Sequence, residues 1–283
     1  MTDYDTLELA NYGSTPILLF TFARGTVVWR YCNQDQDIVA GGFTWLGLDT
    51  PISIDGNKQT GDPTQDAINF SVPSNSPMAA LFTDLATSGG ILANVQRVFM
   101  EDLNDLRPFW SGKITDRKIT DPSTYQLVGQ IQTYTGNTQG VRLREGRGCT
   151  YLLYQQFNTC MIDKELYRHT TTITDMDGAS VTVADLPQDV RLLFYAGGFV
   201  QYEYMPGIIE QRGILLQDAN NPLKLQLLGG TAGIKPTMSL DVFPGCPRDW
   251  DNCGTLYNNQ DNYGGDPVFP GVSPFTTSIF QSG

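Results

Sequence analysis

The chain has 283 residues, enough for two modest domains or one large one, and a formal charge of −12 from 30 acidic and 18 basic side chains. A chain this acidic has few cationic side chains that could neutralise DNA phosphates. This excludes a protein that binds duplex DNA through the phosphate backbone. Charged residues make up only 17% of the chain, whereas glycine, proline, tyrosine and phenylalanine are plentiful. That composition is typical of strands, turns and aromatic faces.

The first half of the chain is predicted to consist mainly of strands. Two β-rich runs in Pro16–Cys32, broken at Ala23–Gly25, predict a hairpin. Apolar residues alternate in Ala67–Pro73, as in a half-buried strand. Further strands are predicted over Gly41–Ile54, Ala93–Glu101, Arg107–Thr120 and Thr124–Gly136, with a polar connection at Asp102–Leu106. One short helix is predicted over Pro77–Ala86, capped by the residues before it.

Residues beyond about 145 predict a second, smaller β-domain. Thr170–Leu186 contains an Asp-Gly turn between two threonine- and valine-rich runs, which predicts a hairpin. Short strands are predicted within Arg191–Tyr204, Arg212–Asp218 and Leu223–Gly230. The predicted fold class is mainly β, with antiparallel sandwich or barrel domains and few short helices. The predicted divisions are a β-domain over 1–145, a small β-domain over 146–240, and a cysteine-bearing segment and arm over 241–283.

The five cysteines raise the question of a metal site. Cys32 ends a predicted strand and is interpreted as a small buried apolar residue. The other four form two pairs, Cys149 with Cys160 and Cys246 with Cys253, separated by about 85 residues. An odd number of cysteines in a chain with no secretory signal argues against a disulfide framework. Four thiolates would suit zinc or an iron–sulfur cluster, but this spacing alone also allows separate structural cysteines.

Other candidates for chemistry are weak. His169, the single histidine, is interpreted as a surface group; the alternative is a nucleophilic pair with Cys160. Asn258–Asp266 superficially resembles a calcium loop but lacks the bidentate glutamate. Glu101 and Asp102 are interpreted as exposed turn residues rather than a glycosidase pair. The sequence therefore predicts a protein that is not an enzyme.

The sequence contains no run long enough to span a bilayer. The longest apolar run, Pro16–Phe22, is far shorter than the ~20 residues that a spanning helix needs. The acidic N-terminus lacks the basic region of a secretory signal. We therefore expect synthesis and folding in a cytoplasm.

Three segments resemble a family of tailed-phage minor tail proteins. The C-terminal pattern is Pro244-Gly245-Cys246, Cys253, Tyr257-Asn258, Asn262-Tyr263-Gly264-Gly265 and Pro270-Gly271. The segment upstream is similar to the family's through Cys149, Leu153, Tyr154, Cys160, Asp163 and Lys164. The N-terminal run Leu18–Trp45 resembles the family's opening domain. Two departures are a wider first cysteine pair and Met161, which stands where the family has glycine.

The resemblance implies a tail-tip hub protein of the kind found in gene transfer agents, similar in role to the iron–sulfur tail-tip protein L of lambda-like phages. It implies a [4Fe–4S] cluster, with zinc as the alternative, held by Cys149, Cys160, Cys246 and Cys253. The implied partners are other phage tail proteins: the distal tail ring, the central tip or fibre proteins and the tape measure. The implied location is the tail tip of a virion.

Two further expectations concern assembly. A hub that adapts a sixfold tube to a threefold tip is expected to form a homotrimeric ring, through whose lumen the genome passes without sequence-specific binding. The acidic side chains are expected to concentrate on the surface that faces the lumen. The alternative functions are a receptor- or glycan-binding tail module and, with less support, a cell-wall hydrolase.

Overall fold

The computed structural model describes residues 8–9, 16–55, 67–82, 89–131, 146–157, 159–187 and 194–269. The ends of the predicted helix 77–86 and of the predicted strand 124–136, and the closing arm, lie outside these residues. The chain divides into two compact units, one of residues 1–139 and 203–210 and the other of residues 140–202 and 211–283. Within the described ranges, no helix is both long enough and apolar enough to cross a membrane.

The structure is mainly antiparallel β, which confirms the predicted fold class. The strands are β1 Ile17–Arg24, β2 Val27–Cys32, β3 Ile38–Ala40, β4 Phe43–Trp45, β5 Ser53–Asp55, β6 Ile68–Pro73, β7 Ile91–Phe99, β8 Asp102–Asp121, β9 Thr124–Ile131, β10 His169–Asp177, β11 Ser180–Val183, β12 Phe199–Met205, β13 Ile208–Gln217, β14 Lys224–Leu227 and β15 Ser239–Phe243. The helices are α1 Pro77–Ala80 and α2 Trp250–Tyr257, with short 3-10 helices at Lys164–Tyr167 and Gln260–Asn262.

The first unit is built on a seven-stranded sheet in the order β2-β1-β7-β8-β9-β6-β5, beside the two-stranded sheet β3-β4. The predicted hairpin is confirmed, since β1 and β2 pair antiparallel around Gly25. The alternation predicted for β6 is also confirmed, because Ile68, Phe70 and Val72 are fully buried. Burying each of these side chains contributes about 1.5–3 kcal/mol to folding.

One predicted connection is wrong. Asp102–Leu106 was expected to be a polar link, but it forms the start of β8. The turn is the pair Met100–Glu101, and Phe99 pairs directly with Asp102. Backbone pairing with β7 holds this end of the strand, so its side chains can remain polar and Asn104 remains exposed.

The second unit contains a closed barrel in the order β10-β11-β14-β13-β12-β15. Its predicted hairpin is confirmed, since β10 and β11 pair around a turn that contains Gly178. The barrel buries the side chains Ile173, Val181, Leu225, Leu240 and Val242. Residues 203–210, where β12 turns into β13, belong to the first unit. Strand β15 ends at Phe243, immediately before the second cysteine pair.

Candidate metal centre

Four cysteines line one cavity in the second unit, and all four are free thiols. The cavity has a volume of about 30 Å³. Its cysteines are Cys149, Cys160, Cys246 and Cys253, and its apolar lining includes Tyr151, Leu153 and Ile162. The fold thus brings both cysteine pairs to one place, although they are far apart in the sequence.

The thiols face the cavity without forming a closed site for a single ion. No three His, Cys, Asp or Glu side chains in the described ranges are arranged so that they could hold one metal ion. Cys32 lies elsewhere, buried at the end of β2 in the first unit. Its sulfur is 3.4 Å from the Gln36 carbonyl oxygen and 3.5 Å from that of Leu46. These contacts agree with the interpretation of Cys32 as a buried structural residue.

Cys246 is positioned by a close backbone crossing. The Gly245 amide donates to the Phe194 carbonyl at 2.9 Å, and the Tyr257 hydroxyl donates to the Gly245 carbonyl at 2.6 Å. A Cβ atom added to Gly245 would lie 2.0 Å from the Ala196 carbonyl oxygen, so only glycine fits there. The Pro-Gly-Cys pattern therefore lets the chain pass close to residues 194–198 and places the next residue at the cavity.

Cys253 lies on helix α2, which the sequence reasoning missed. The helix begins after Asp249, whose side chain accepts a hydrogen bond from the Asn252 amide at 2.8 Å. It ends at Asn258, which adopts the left-handed conformation that asparagine tolerates. Cys253 and Tyr257 are buried on the helix. The two caps were the available signal, because Asp and Asn are favoured at these positions.

Cys149 is held by the closing segment of the same motif. The Cys149 amide donates to the Arg248 carbonyl at 2.8 Å. The Gly264 amide lies 3.3 Å from the Cys149 sulfur, and the Gly264 carbonyl accepts the Thr150 hydroxyl at 3.0 Å. The Tyr263 hydroxyl donates to the Arg248 carbonyl at 3.0 Å. These bonds join the loop of the first cysteine pair to the segment of the second.

Gly265→Ala is expected to loosen this junction. A Cβ atom at Gly265 would lie 2.7 Å from the carbonyl oxygens of Arg147 and Gly148, and backbone atoms cannot move aside cheaply. Overpacking of this kind typically costs about 1–3 kcal/mol of unfolding free energy. Gly146→Ala is the control, because a Cβ there would meet nothing within 4 Å. Equal denaturation midpoints for the two variants would contradict this account.

Cys160 follows a loop that packs on the end of the barrel. The Tyr154 hydroxyl donates to the Pro244 carbonyl at 2.8 Å, and the Tyr154 ring contacts Phe243 edge-on. Lys164 lies over the same Phe243 ring, with its nitrogen 5.5 Å from the ring centre. Asp163 caps the 3-10 helix that follows. These residues of the upstream motif hold the loop in place.

Met161→Gly is expected to stabilise the chain by about 0.5–1 kcal/mol. Met161 has a φ of 55°, a left-handed conformation that costs a side-chain-bearing residue about 1–2 kcal/mol, and glycine avoids most of that cost. Its side chain is 51% exposed, so little apolar burial is lost. Met100, also exposed, is a matched control whose replacement by glycine is expected to lower stability. Thermal denaturation of both variants checks the prediction, and a destabilised Met161→Gly protein contradicts it.

Burial favours the protonated form of three cavity thiols, Cys160, Cys246 and Cys253. It raises the pKa of Cys160 and Cys246, and together with the neighbouring Cys246 thiol it raises the pKa of Cys253 to about 11. A thiol must lose its proton before it binds a metal, because the thiolate is the ligand. Metal binding at this cavity would therefore release protons.

The cavity contains the four sulfur donors of a four-thiolate centre, although no three of them are arranged to hold a single ion. Besides the four sulfurs, the site offers amide N–H groups that point at them: the Arg248 amide lies 3.3 Å from the Cys246 sulfur, and Gly264 makes the contact with Cys149 described above. Hydrogen bonds to sulfur stabilise bound thiolates and tune iron–sulfur clusters.

The remaining candidates serve other roles. The His169 ring nitrogen Nε2 lies 3.0 Å from Asp185 Oδ2, and the Thr171 hydroxyl donates to Asp185 Oδ1 at 2.8 Å. The Asn258–Asp266 segment, which superficially resembles a calcium loop, contributes Asn259 and Gly264 to the surroundings of the thiols. Sequence reasoning did not single out Asn259.

The chain is similar to one protein family over part of its length and to individual proteins. Residues 193–272 match the family described as "Phage conserved hypothetical protein BR0599". A chain from the "Virion of native gene transfer agent (GTA) particle" has a similar fold, with a TM-score of 0.76 and 15% identity over 100% of this chain and 97% of that one. An uncharacterized protein of Xylella fastidiosa (strain 9a5c) is 44% identical over 43 residues, which span 15% of this chain and 9% of that protein. The segment that carries the second cysteine pair thus matches a phage family, and the whole chain shares the fold of a virion protein.

Proposed function

We propose that this chain is a structural protein of a tailed-phage-like virion, the tail-tip hub that links the tail tube and distal ring to the central tip proteins. The observation that carries the proposal is the fold likeness along the full length of both chains to a protein of a gene transfer agent particle. The match of residues 193–272 to a phage family supports it independently. The role is structural, not enzymatic, and the location is the tail tip.

We also propose that Cys149, Cys160, Cys246 and Cys253 hold a metal–thiolate centre, a [4Fe–4S] cluster rather than zinc. The gathering of the four free thiols at one cavity supports the centre. The resemblance to iron–sulfur tail-tip proteins and the N–H groups aimed at sulfur favour the cluster over zinc. Its chemistry here is cross-linking, because it ties the turn-rich segment after β15 to the Cys149–Cys160 loop.

A homotrimeric ring is the assembly that this function implies. Its neighbours are the distal tail ring, the central tip or fibre proteins and the tape measure, and the genome passes through its lumen. Carboxylates that face the lumen would repel the phosphates over a Debye length of ~8 Å. Candidates lie on exposed turns or hairpins: Asp35, Asp37, Glu101, Asp175 and Asp177.

A cryo-EM reconstruction of particles that carry this protein tests the proposal. We expect three copies at the distal end of the tail, with a negative potential on the surface that faces the axis. Absence of the chain from purified particles would overturn the hub. A copy number other than three would overturn the proposed trimer. A neutral or positive potential on the lumen surface would leave solubility as the reason for the chain's negative net charge.

A further inference from the structure

One side chain connects the two cysteine pairs. Asn259 Nδ2 donates to the Cys160 carbonyl at 2.5 Å and lies 3.8 Å from the Cys160 sulfur. The Asn259 backbone amide donates to the Cys253 carbonyl at 3.2 Å, and its own carbonyl accepts the Cys253 thiol at 3.3 Å. The same residue thus contacts one cysteine from each pair, across 99 positions in the chain for the first.

The orientation of the Asn259 amide is fixed by its neighbours. Asn262 Nδ2 donates to Asn259 Oδ1 at 2.8 Å, so the oxygen side of the amide is occupied and the NH₂ group faces Cys160. The backbone is fixed as well, because Asn258 ends helix α2 and its amide donates to the Gly254 carbonyl at 2.9 Å. The donor is therefore held in place before any metal binds.

We infer that Asn259 is a positioning residue of the thiol site, which holds Cys160 against the second cysteine pair and donates an N–H···S hydrogen bond to the Cys160 thiolate. This inference rests on the proposed metal–thiolate centre. An amide N–H beside a thiolate stabilises its negative charge, and the loss of such outer partners typically weakens metal binding by about 10–100-fold. An aspartate side chain at this position has no N–H to donate, and its carboxylate would face the Cys160 carbonyl oxygen and sulfur.

The test compares Asn259→Asp with Asn220→Asp in anaerobically purified full-length protein. Asn220 is the control, because it is exposed, lies in the same unit outside the thiol cavity and takes the same charge change. We expect Asn259→Asp to lower the affinity for the metal retained by the wild type about 10–100-fold in a chelator competition, and Asn220→Asp to leave it unchanged. The thiolate-to-metal charge-transfer absorption of the loaded protein should also shift in Asn259→Asp alone. A residue that only supported the fold would leave that absorption unchanged.

A second variant keeps the test decisive if Asn259→Asp does not fold. Asn262→Ala removes the hydrogen bond that orients the amide and keeps Asn259 itself, so it should weaken metal binding in the same direction by a smaller factor. If both variants match Asn220→Asp in affinity and absorption, the inference is overturned while the metal centre stands. If the wild-type chain retains no metal, the proposed centre fails, and the role of Asn259 fails with it.

Discussion

Cys246→Ser is expected to remove the metal and to release the segment that follows β15. Cys246 lines the cavity, and a serine hydroxyl does not ionise as a thiolate does at neutral pH. In the proposed centre, the metal would close a loop of about 100 residues from Cys149 to Cys253, and losing such a closure would cost about 4–5 kcal/mol on the scale used for disulfides. Metal analysis should show the loss, and limited proteolysis should cut after Phe243.

Cys32→Ser is the control for that variant. Cys32 lies outside the cavity, and a serine hydroxyl can donate to the carbonyl oxygens that surround the thiol. This protein should retain the metal and resist proteolysis as the wild type does. Stoichiometric metal in the Cys246→Ser protein would refute the assignment of Cys246 as a ligand. Loss of metal from the Cys32→Ser protein alone would refute the assignment of Cys32 as a residue outside the metal centre.

Glu210→Gln is expected to destabilise the first unit by about 3–5 kcal/mol. Glu210 Oε1 lies 2.5 Å from Arg24 Nη2, and both side chains are almost fully buried. Neutralising Glu210 leaves the positive charge of Arg24 buried without an opposite charge. Breaking a buried ion pair in this way typically costs about 3–5 kcal/mol of unfolding free energy. Trp29, Trp45 and Trp110 belong to the first unit, so tryptophan fluorescence during chemical denaturation reports on it.

An exposed pair in the same unit gives the control. Asp105 lies 2.8 Å from Arg107, and both side chains are partly exposed, so Asp105→Asn should change stability by no more than about 0.5 kcal/mol. The double variant Arg24→Met with Glu210→Leu should recover most of the loss, because an apolar pair leaves no buried charge. A double variant as unstable as Glu210→Gln alone would contradict the electrostatic explanation.

Local patterns predicted the fold where burial alternates along a strand. Strand β6 was predictable because Ile68, Phe70 and Val72 face the core and the residues between them do not. Asp102–Leu106 was not, because pairing with β7 holds polar residues in a strand that their propensities disfavour. Helix α2 was missed because it contains Gly254 and several polar residues, and its caps Asp249 and Asn258 define it more than its composition does.

The site was only partly predictable from local sequence. The spacing of the cysteines is compatible with zinc, an iron–sulfur cluster or separate thiols. Whether the two pairs meet depends on where the strands of the folded barrel end, and the spacing does not reveal this. Cys246 lies at the cavity because strand β15 ends three residues before it. Cys149 lies there because the neighbouring Thr150 hydroxyl donates a hydrogen bond to the Gly264 carbonyl. Asn259 could not be singled out, because its role depends on a contact with Cys160, 99 residues away.

The most direct test of the central claim is the metal and sulfide content of the wild-type protein purified without oxygen. We expect about four iron and four acid-labile sulfide per chain, with a brown colour and broad violet absorbance, as for one [4Fe–4S] cluster. One zinc per chain without sulfide would keep the four-thiolate centre and replace the cluster. A metal-free protein in which all five thiols react with a thiol reagent after unfolding would contradict the claim.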